Sequence, residues 1–156
     1  MQGSIKGDLI MNESTSRHDG QMSLKSSDIT LLATAEVSAD GNIQLDVGGD
    51  LSVAGGASIT SGGELQGSIT GDLLMNESTS MHAGQMSLNS GGAMVVNDIT
   101  SADVLVLTAS SDITALASAE VSAGGNIQLD AGGDLTLAAG SSITSCGEFQ
   151  VSLTGY

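Results

Sequence analysis

The sequence lacks proline and tryptophan, and it contains only one phenylalanine, one tyrosine and one cysteine among 156 residues. Without proline, every backbone N–H is available to a hydrogen-bond ladder, as a strand paired on both edges requires. With so few aromatic rings, a core must be built from Leu, Ile, Val, Met and Ala. The lone Cys146 excludes an intramolecular disulfide and a cysteine-rich metal site.

Basic residues are scarce, because Lys6, Arg17 and Lys25 face 18 acidic residues, for a formal net charge of −15. Nucleic acids and anionic lipids attract basic surfaces, so neither is expected as a partner. No apolar run has the length of a membrane span or of a signal-peptide core, which predicts no membrane insertion. If the protein is exported, we expect its export signal to lie outside this chain.

Two long segments of the sequence recur almost verbatim. Segment 2–24 returns as 66–88, and segment 27–64 returns as 111–148. The duplication therefore relates 2–64 to 66–148, and the second copy carries an extra block near 89–108. A block that is added without disturbing its neighbours is a structural unit, so we interpret 1–156 as a single repeat domain.

A shorter motif marks each unit: Gly or Ser, then Asp, then an apolar–any–apolar triplet. Its acidic position is occupied by Asp8, Asp28, Asp50, Asp72, Asp112 and Asp134, with Ala93 in one unit. The steps between successive positions run 20, 22, 22, 21, 19 and 22 along the numbering. This spacing predicts about seven coils of about 20 residues each.

Apolar residues alternate with polar ones inside each unit, as expected for strands with one buried face. Leu51 and Val53 are predicted to point inward and Ser52 outward. A second inward column is predicted nine positions after the Asp, at Val37, Ile59, Met81, Ala102, Val121 and Ile143. A third column precedes the Asp, so we predict an all-β, single-domain parallel β-helix, or β-solenoid, with three short strands per coil. An antiparallel sandwich also alternates, but it does not predict interchangeable blocks of one coil each.

The segments Gly41–Thr60 and Gly125–Thr144 allow a comparison with known repeats. Their pattern, which includes Gly-Gly-Asp-Leu at Gly48 and Gly132, resembles the repeats of filamentous-haemagglutinin-like bacterial adhesins. The resemblance implies a right-handed parallel β-helix, an extracellular or cell-surface location and a role as part of a repetitive shaft.

The aspartate row is the main candidate for metal binding. Like charges stacked at coil spacing repel, and calcium between Asp8, Asp28, Asp50, Asp72, Asp112 and Asp134 would relieve that repulsion. The alternative is that each carboxylate accepts a backbone N–H at its turn. We favour the second interpretation, because a calcium site needs several converging oxygens. We therefore expect no cofactor, with calcium as the one alternative.

Catalytic residues are not indicated by the sequence. His18 and His82 are equivalent positions of the two copies, three coils apart, and cannot share a metal ion. Cys146 replaces Gly62 of the first copy and is interpreted as a turn residue. Solenoid enzymes that act on polysaccharides usually carry long loops and aromatic residues around a cleft, which the short uniform coils lack. We expect that the protein is not an enzyme.

Both ends of the sequence are predicted to be open coils, because Met1 corresponds to Leu65 and Phe149, and Tyr156 falls at the next Asp position. Two interpretations of open ends are possible: the chain is an excerpt of a longer shaft, or copies stack head to tail into a fibre. We therefore predict a structural, self-stacking extracellular fibre or surface-shaft protein whose partner is itself. The alternative is an adhesin segment that binds a host, matrix or glycan ligand through a lateral face.

Overall fold

The computed structural model describes residues 7–155 and, as backbone only, residues 2–4. Regular structure in this part of the chain is entirely β: 22 short strands form three parallel sheets, and no helix is present there. Every third strand belongs to the same sheet, so the chain visits sheets A, B and C once per coil. The predicted parallel β-solenoid of about seven coils is confirmed. Its handedness stays a prediction.

The strands of each sheet follow in coil order. Sheet A contains β1 (Gln2–Ser4), β4 (Met22–Ser26), β7 (Ile43–Val47), β10 (Glu64–Ile69), β13 (Gln85–Ser90), β16 (Leu105–Ala109), β19 (Ile127–Ala131) and β22 (Phe149–Leu153). Sheet B contains β2 (Leu9–Met11), β5 (Ile29–Leu31), β8 (Leu51–Val53), β11 (Leu73–Met75), β14 (Met94–Val96), β17 (Ile113–Ala115) and β20 (Leu135–Leu137). Sheet C contains β3 (Thr15–His18), β6 (Glu36–Ala39), β9 (Ser58–Ser61), β12 (Ser80–Ala83), β15 (Asp98–Ser101), β18 (Glu120–Ala123) and β21 (Ser142–Ser145).

Equivalent side chains of successive coils form continuous columns inside the solenoid. Leu51 lies in register with Ile29 in the coil below and Leu73 in the coil above, and all three are at most 1% exposed. Ser52, between the inward residues of β8, is partly exposed on the outer surface. The predicted inward and outward faces of this sheet are therefore confirmed, and one turn takes about 22 residues, slightly more than predicted.

The corner between sheets B and C contains a residue with positive φ in most coils. Gly56 and Gly140 adopt φ values of 84° and 78°, and Glu13, Thr34, Ser78 and Ser118 adopt 45°, 60°, 62° and 62°. In this left-handed region a Cβ atom crowds the following carbonyl oxygen, and glycine avoids that contact. The four non-glycine residues therefore hold a strained backbone conformation that the neighbouring ladders stabilise.

One coil lacks this corner, because Asn97 alone joins β14 to β15. Asn97 is buried, and its Nδ2 donates to the backbone oxygen of Thr79, 3.1 Å away in the coil below. The short connection brings Ile99 into line with Met81 in the inward column of sheet C. The prediction that Ala102 occupies this column is wrong, since Ala102 is exposed in the following corner.

Sheet C of the first coil is shifted by one residue relative to the second copy. Arg17 corresponds in sequence to Met81, which is fully buried. Strand β3, which contains Arg17, instead places Ser16 in register with the inward Val37, so Arg17 lies on the outer surface. A one-residue shift moves every side chain of a strand to the opposite face. Here the shift keeps the guanidinium out of the apolar interior, where an unpaired charge is costly.

Candidate functional site

The last described coil exposes side chains whose counterparts are buried in the coils beneath it. Leu137, Phe149, Val151 and Leu153 are 50%, 51%, 39% and 53% exposed. Ile127, the register partner of Phe149 one coil below, is only 1% exposed. These residues belong to the apolar surface that closes the C-terminal end of the stack. This surface, called the terminal face below, consists of Leu135, Leu137, Ile143, Phe149, Val151 and Leu153.

The terminal face is framed by three strand edges. β20, β21 and β22 are the end strands of sheets B, C and A, so each has one edge with no pairing strand in the described chain. A row of unpaired N–H and C=O groups at a sheet edge can accept a further strand. On the last described coil, exposed apolar side chains thus lie beside three strand edges that have no partner within the described chain.

The aspartates of the repeat motif link successive coils. Oδ1 of Asp28 accepts the backbone N–H of Asp50 at 2.9 Å, and Oδ1 of Asp50 accepts that of Asp72 at 2.9 Å. The same bond joins Asp112 to the N–H of Asp134 at 2.8 Å. Asp28, Asp50, Asp72 and Asp112 each accept a backbone N–H, but the donor belongs to the coil above instead of the turn of the aspartate itself. We call this arrangement the aspartate row.

At the position before the Asp of the motif, four glycines make room for the carboxylate of the coil below. A Cβ atom at Gly49, Gly71, Gly92 or Gly133 would overlap Oδ1 of Asp28, Asp50, Asp72 or Asp112, respectively. Where Ala93 interrupts the row, the residue above it is Ser111, which meets no carboxylate. Above Asp8 the position is occupied by Ser27 instead of glycine. The N–H of Ser27 donates to the backbone oxygen of Gly7 at 2.9 Å. Glycine at this position therefore accompanies an accepting Asp in the coil below.

A second inter-coil link, at the start of sheet A, was missed in the sequence. Oδ1 of Asn42 accepts the N–H of Glu64 at 3.0 Å, and Oδ1 of Asn126 accepts the N–H of Glu148 at 2.8 Å. The signal was present, because the two asparagines occupy equivalent positions of the duplication. Without the coil-to-coil register, however, neither donor could be identified.

The metal candidates lie in a row and do not converge. Within residues 7–155, no three His, Cys, Asp or Glu side chains lie close enough together to hold a metal ion. Asp8 and Asp134 are exposed at opposite ends of the row. Calcium binding by Asp8, Asp28, Asp50, Asp72, Asp112 or Asp134 stays a prediction, and the observed N–H bonds already use one carboxylate oxygen of four of them: Asp28, Asp50, Asp72 and Asp112.

The two histidines and the cysteine are not brought together. His82 is exposed on sheet C, whereas the shifted first coil turns His18 toward the inward column, in register with Ala39. The sheet order places the histidines three coils apart. Cys146 is an exposed free thiol in the corner before β22. No nucleophile–base pair is formed by these three residues.

Side-chain amides line a shallow groove along sheet A. Gln44 and Gln66 pair in adjacent strands, and Asn42 and Glu64 flank them at the corner. The groove extends to Gln21 in the first coil. Amide and carboxylate groups of this kind can donate to and accept from the hydroxyl groups of a sugar.

Charge is distributed unequally along the stack. Lys25 forms an ion pair with Asp46 of the next coil on the outer surface, and Arg17 lies on the outer surface of the first coil. The coils after Lys25 carry only acidic charged groups. Lys6, Met1 and Tyr156, which entered the predictions about charge and open ends, lie outside the described residues.

A search of the described residues for a helix that is long and apolar enough to cross a membrane finds none.

Comparison with known proteins finds no matching family model, no matching curated protein and no matching solved structure. The chain is therefore classified by its fold, a parallel β-solenoid of about seven coils.

Proposed function

We propose that the protein is a structural solenoid that assembles end to end into an extracellular fibre or a surface shaft, with no catalytic role. The observation that carries the proposal is the terminal face, where apolar side chains and three free strand edges lie together. A second copy whose first coil covered this face would continue all three sheets. Contacts of this kind join unlike ends, so they propagate into filaments instead of closing into rings.

The energies involved indicate which contacts such a junction needs. Burying an apolar side chain of this size stabilises by about 1.5–3 kcal/mol, so burying the exposed halves of four contributes about 3–6 kcal/mol. Association costs about 4–15 kcal/mol in lost translational and rotational freedom. Apolar burial alone is therefore barely sufficient, and the three strand ladders must supply the remainder.

The extracellular setting is proposed from the resemblance of Gly41–Thr60 and its copy to the shafts of filamentous-haemagglutinin-like adhesins. The surface chemistry supports it in part. A strongly acidic outer surface with many Ser, Thr and Gly residues keeps a long rod soluble and gives nucleic acids no basic patch to bind.

Two substitutions on one strand test the proposed assembly. Val151 points into the terminal face, and its neighbour Gln150 points outward and is exposed. Val151→Asp and Gln150→Asp change the net charge equally, but only the first places a carboxylate inside the junction. Sedimentation velocity and electron microscopy should show fibres for the wild type and for Gln150→Asp, and monomers for Val151→Asp. Monomers in all three samples would contradict end-to-end assembly.

The second candidate function is recognition of a glycan by the lateral amide groove around Gln44 and Gln66. If the groove binds oligosaccharide, the melting temperature should rise with added glycan, and Gln66→Ala should abolish the rise. An unchanged melting temperature across a panel of neutral and acidic glycans would remove this candidate.

A further inference from the structure

The shortened corner at Asn97 leaves an opening of about 360 Å³ in the edge between sheets B and C. The coil below has a full corner at 76–79 and the coil above has one at 116–119, whereas Asn97 alone connects β14 to β15. The opening, called the notch below, is lined by Glu77, Ser78, Asn97, Asp98, Ala117 and Ser118. We infer that the notch binds a primary ammonium group, the cationic group of aliphatic amines and of lysine side chains.

Asn97 provides an unused hydrogen-bond acceptor at the base of the notch. The residue is 4% exposed, and its Nδ2 donates to the backbone oxygen of Thr79 at 3.1 Å. This bond assigns the nitrogen end of the amide, so the other end presents Oδ1, which is an acceptor only. Oδ1 accepts no hydrogen bond from the described residues, yet it is not sealed inside the core. Because amide oxygens of buried residues normally have a partner, Oδ1 is available to a donor that enters the notch.

Two carboxylates line the same opening. Asp98 is partly buried, and its Oδ1 accepts the N–H of Glu120 at 3.0 Å, which leaves Oδ2 for a ligand. Glu77 is exposed in the corner of the coil below. No Lys or Arg of the described coils forms an ion pair with either carboxylate. The notch therefore carries two negative charges that the described chain does not neutralise.

The acceptors of the notch match an ammonium group better than other ions. An ammonium group has three N–H donors and no acceptor, and Asn97, Asp98 and Glu77 supply three acceptors around one opening. A guanidinium is a planar fork that suits a single carboxylate. Calcium takes about six to eight oxygen ligands, and among the described residues no three His, Cys, Asp or Glu side chains converge on a metal position. Anions are disfavoured by the two carboxylates.

The first copy of the duplication has no counterpart of the notch. Glu77 and Ala117 correspond in sequence to Glu13 and Ala33, whose corners belong to adjacent coils with no coil between them. The inserted block near 89–108 separates the two corners in the second copy and supplies Asn97 and Asp98 between them. We therefore expect a single ammonium site per chain. This site lies on the side of the solenoid and has no part in the terminal face, so it is independent of end-to-end assembly.

Calorimetric titration of the purified chain tests the site with two probes: cadaverine, an aliphatic diamine, and Nα-acetyl-lysine methylamide. We expect saturable binding of a single equivalent of at least one probe, and the tighter probe identifies the source of the ammonium group as a free amine or a lysine side chain. Tetramethylammonium has the same charge as a primary ammonium but no N–H donor, so it should bind at least about tenfold more weakly. Titrations without saturation, or equally tight binding of tetramethylammonium, would overturn the inference.

Two matched variants locate the binding within the molecule. Asp98→Asn removes one charge of the notch and keeps the inter-coil bond, because Asn42 accepts the N–H of Glu64 in the same way. It should weaken binding of the amine by about tenfold. Asp112→Asn makes the same change of charge outside the notch, and in about 0.15 M salt, which screens distant charges, it should leave the affinity unchanged. Equal weakening by the two variants would show a general attraction to the acidic rod and would overturn the inference.

Discussion

Leu51 and Ser52 are neighbours in β8 that point to opposite sides of the solenoid wall. Leu51 is fully buried between Ile29 and Leu73, whereas Ser52 lies between Thr30 and Leu74 on the outer surface. Leu51→Asp would bury an unpaired carboxylate and should lower the free energy of unfolding by about 4 kcal/mol or more, whereas Ser52→Asp should change it by less than about 0.5 kcal/mol. Thermal and urea unfolding of both variants measures the change in the free energy of unfolding. Equal losses would contradict the inward column.

Thr34 holds a left-handed conformation that is unfavourable for a β-branched residue. Its φ is 60°, and Gly56 occupies the equivalent corner one coil above with φ 84°. Thr34→Gly relieves about 1–2 kcal/mol of backbone strain but loses roughly 0.4–1 kcal/mol through the freer unfolded chain, so it should stabilise by about 0.5–1 kcal/mol.

The matched control for this prediction is Gly56→Ala, which should destabilise. Its Cβ would have no neighbour closer than 3.6 Å, so the loss would come from the backbone conformation and not from a clash. Melting temperatures of both variants provide the comparison. If Thr34→Gly were destabilised, the threonine side chain would stabilise the folded state by more than its backbone strain destabilises it.

At the scale of the element, the corner glycines of the aspartate row are coupled to the carboxylate of the coil below, as at Gly133 and Asp112. Gly133→Ala alone should destabilise, because the new methyl group overlaps Oδ1 of Asp112 and displaces it from the N–H of Asp134. Asp112→Ala alone removes one exposed hydrogen bond, worth about 0.5–1.5 kcal/mol. In the double variant the methyl group's next neighbour, the carbonyl carbon of Ser111, is at 3.4 Å, so most of the steric cost should disappear. A double-mutant cycle in unfolding free energy measures the coupling; strictly additive losses would contradict it.

The pattern of strands could be predicted from the sequence, because period-two alternation and the near-verbatim duplication both constrain the register. These local signals predicted that Leu51 points inward and that Asp50 and Asp72 occupy equivalent corners of successive coils. Two local exceptions could not be predicted. In one, Arg17 forces a one-residue shift. In the other, Asn97 shortens a corner and brings Ile99 inward. Both depend on what a side chain would meet in the adjacent coil, which spacing along the chain does not reveal.

The candidate site was predicted less completely than the fold. The acidic row was recognised from the sequence, but its bonds reach the N–H of the next coil, so the donors are defined only by stacking. The exposed end residues Phe149 and Val151 follow the same apolar pattern as the buried Leu65. Their exposure is a property of their position in the stack and has no signature in the local sequence.

At the scale of the whole molecule, assembly should preserve the coil spacing. Parallel strands lie about 4.8 Å apart, so an end-to-end fibre of about seven coils per copy should advance by about 34 Å per copy. Helical reconstruction from cryo-electron micrographs measures this advance, and an advance far from that value would contradict coaxial stacking of the coils.

The most direct test of the central claim is electron microscopy of the purified 156-residue chain at near-neutral pH, combined with fibre diffraction. Copies that stack through the terminal face should form long unbranched fibres whose diffraction has a layer line near about 4.8 Å along the fibre axis. Short monodisperse rods of about seven coils, unchanged as the protein concentration is raised, would contradict end-to-end assembly.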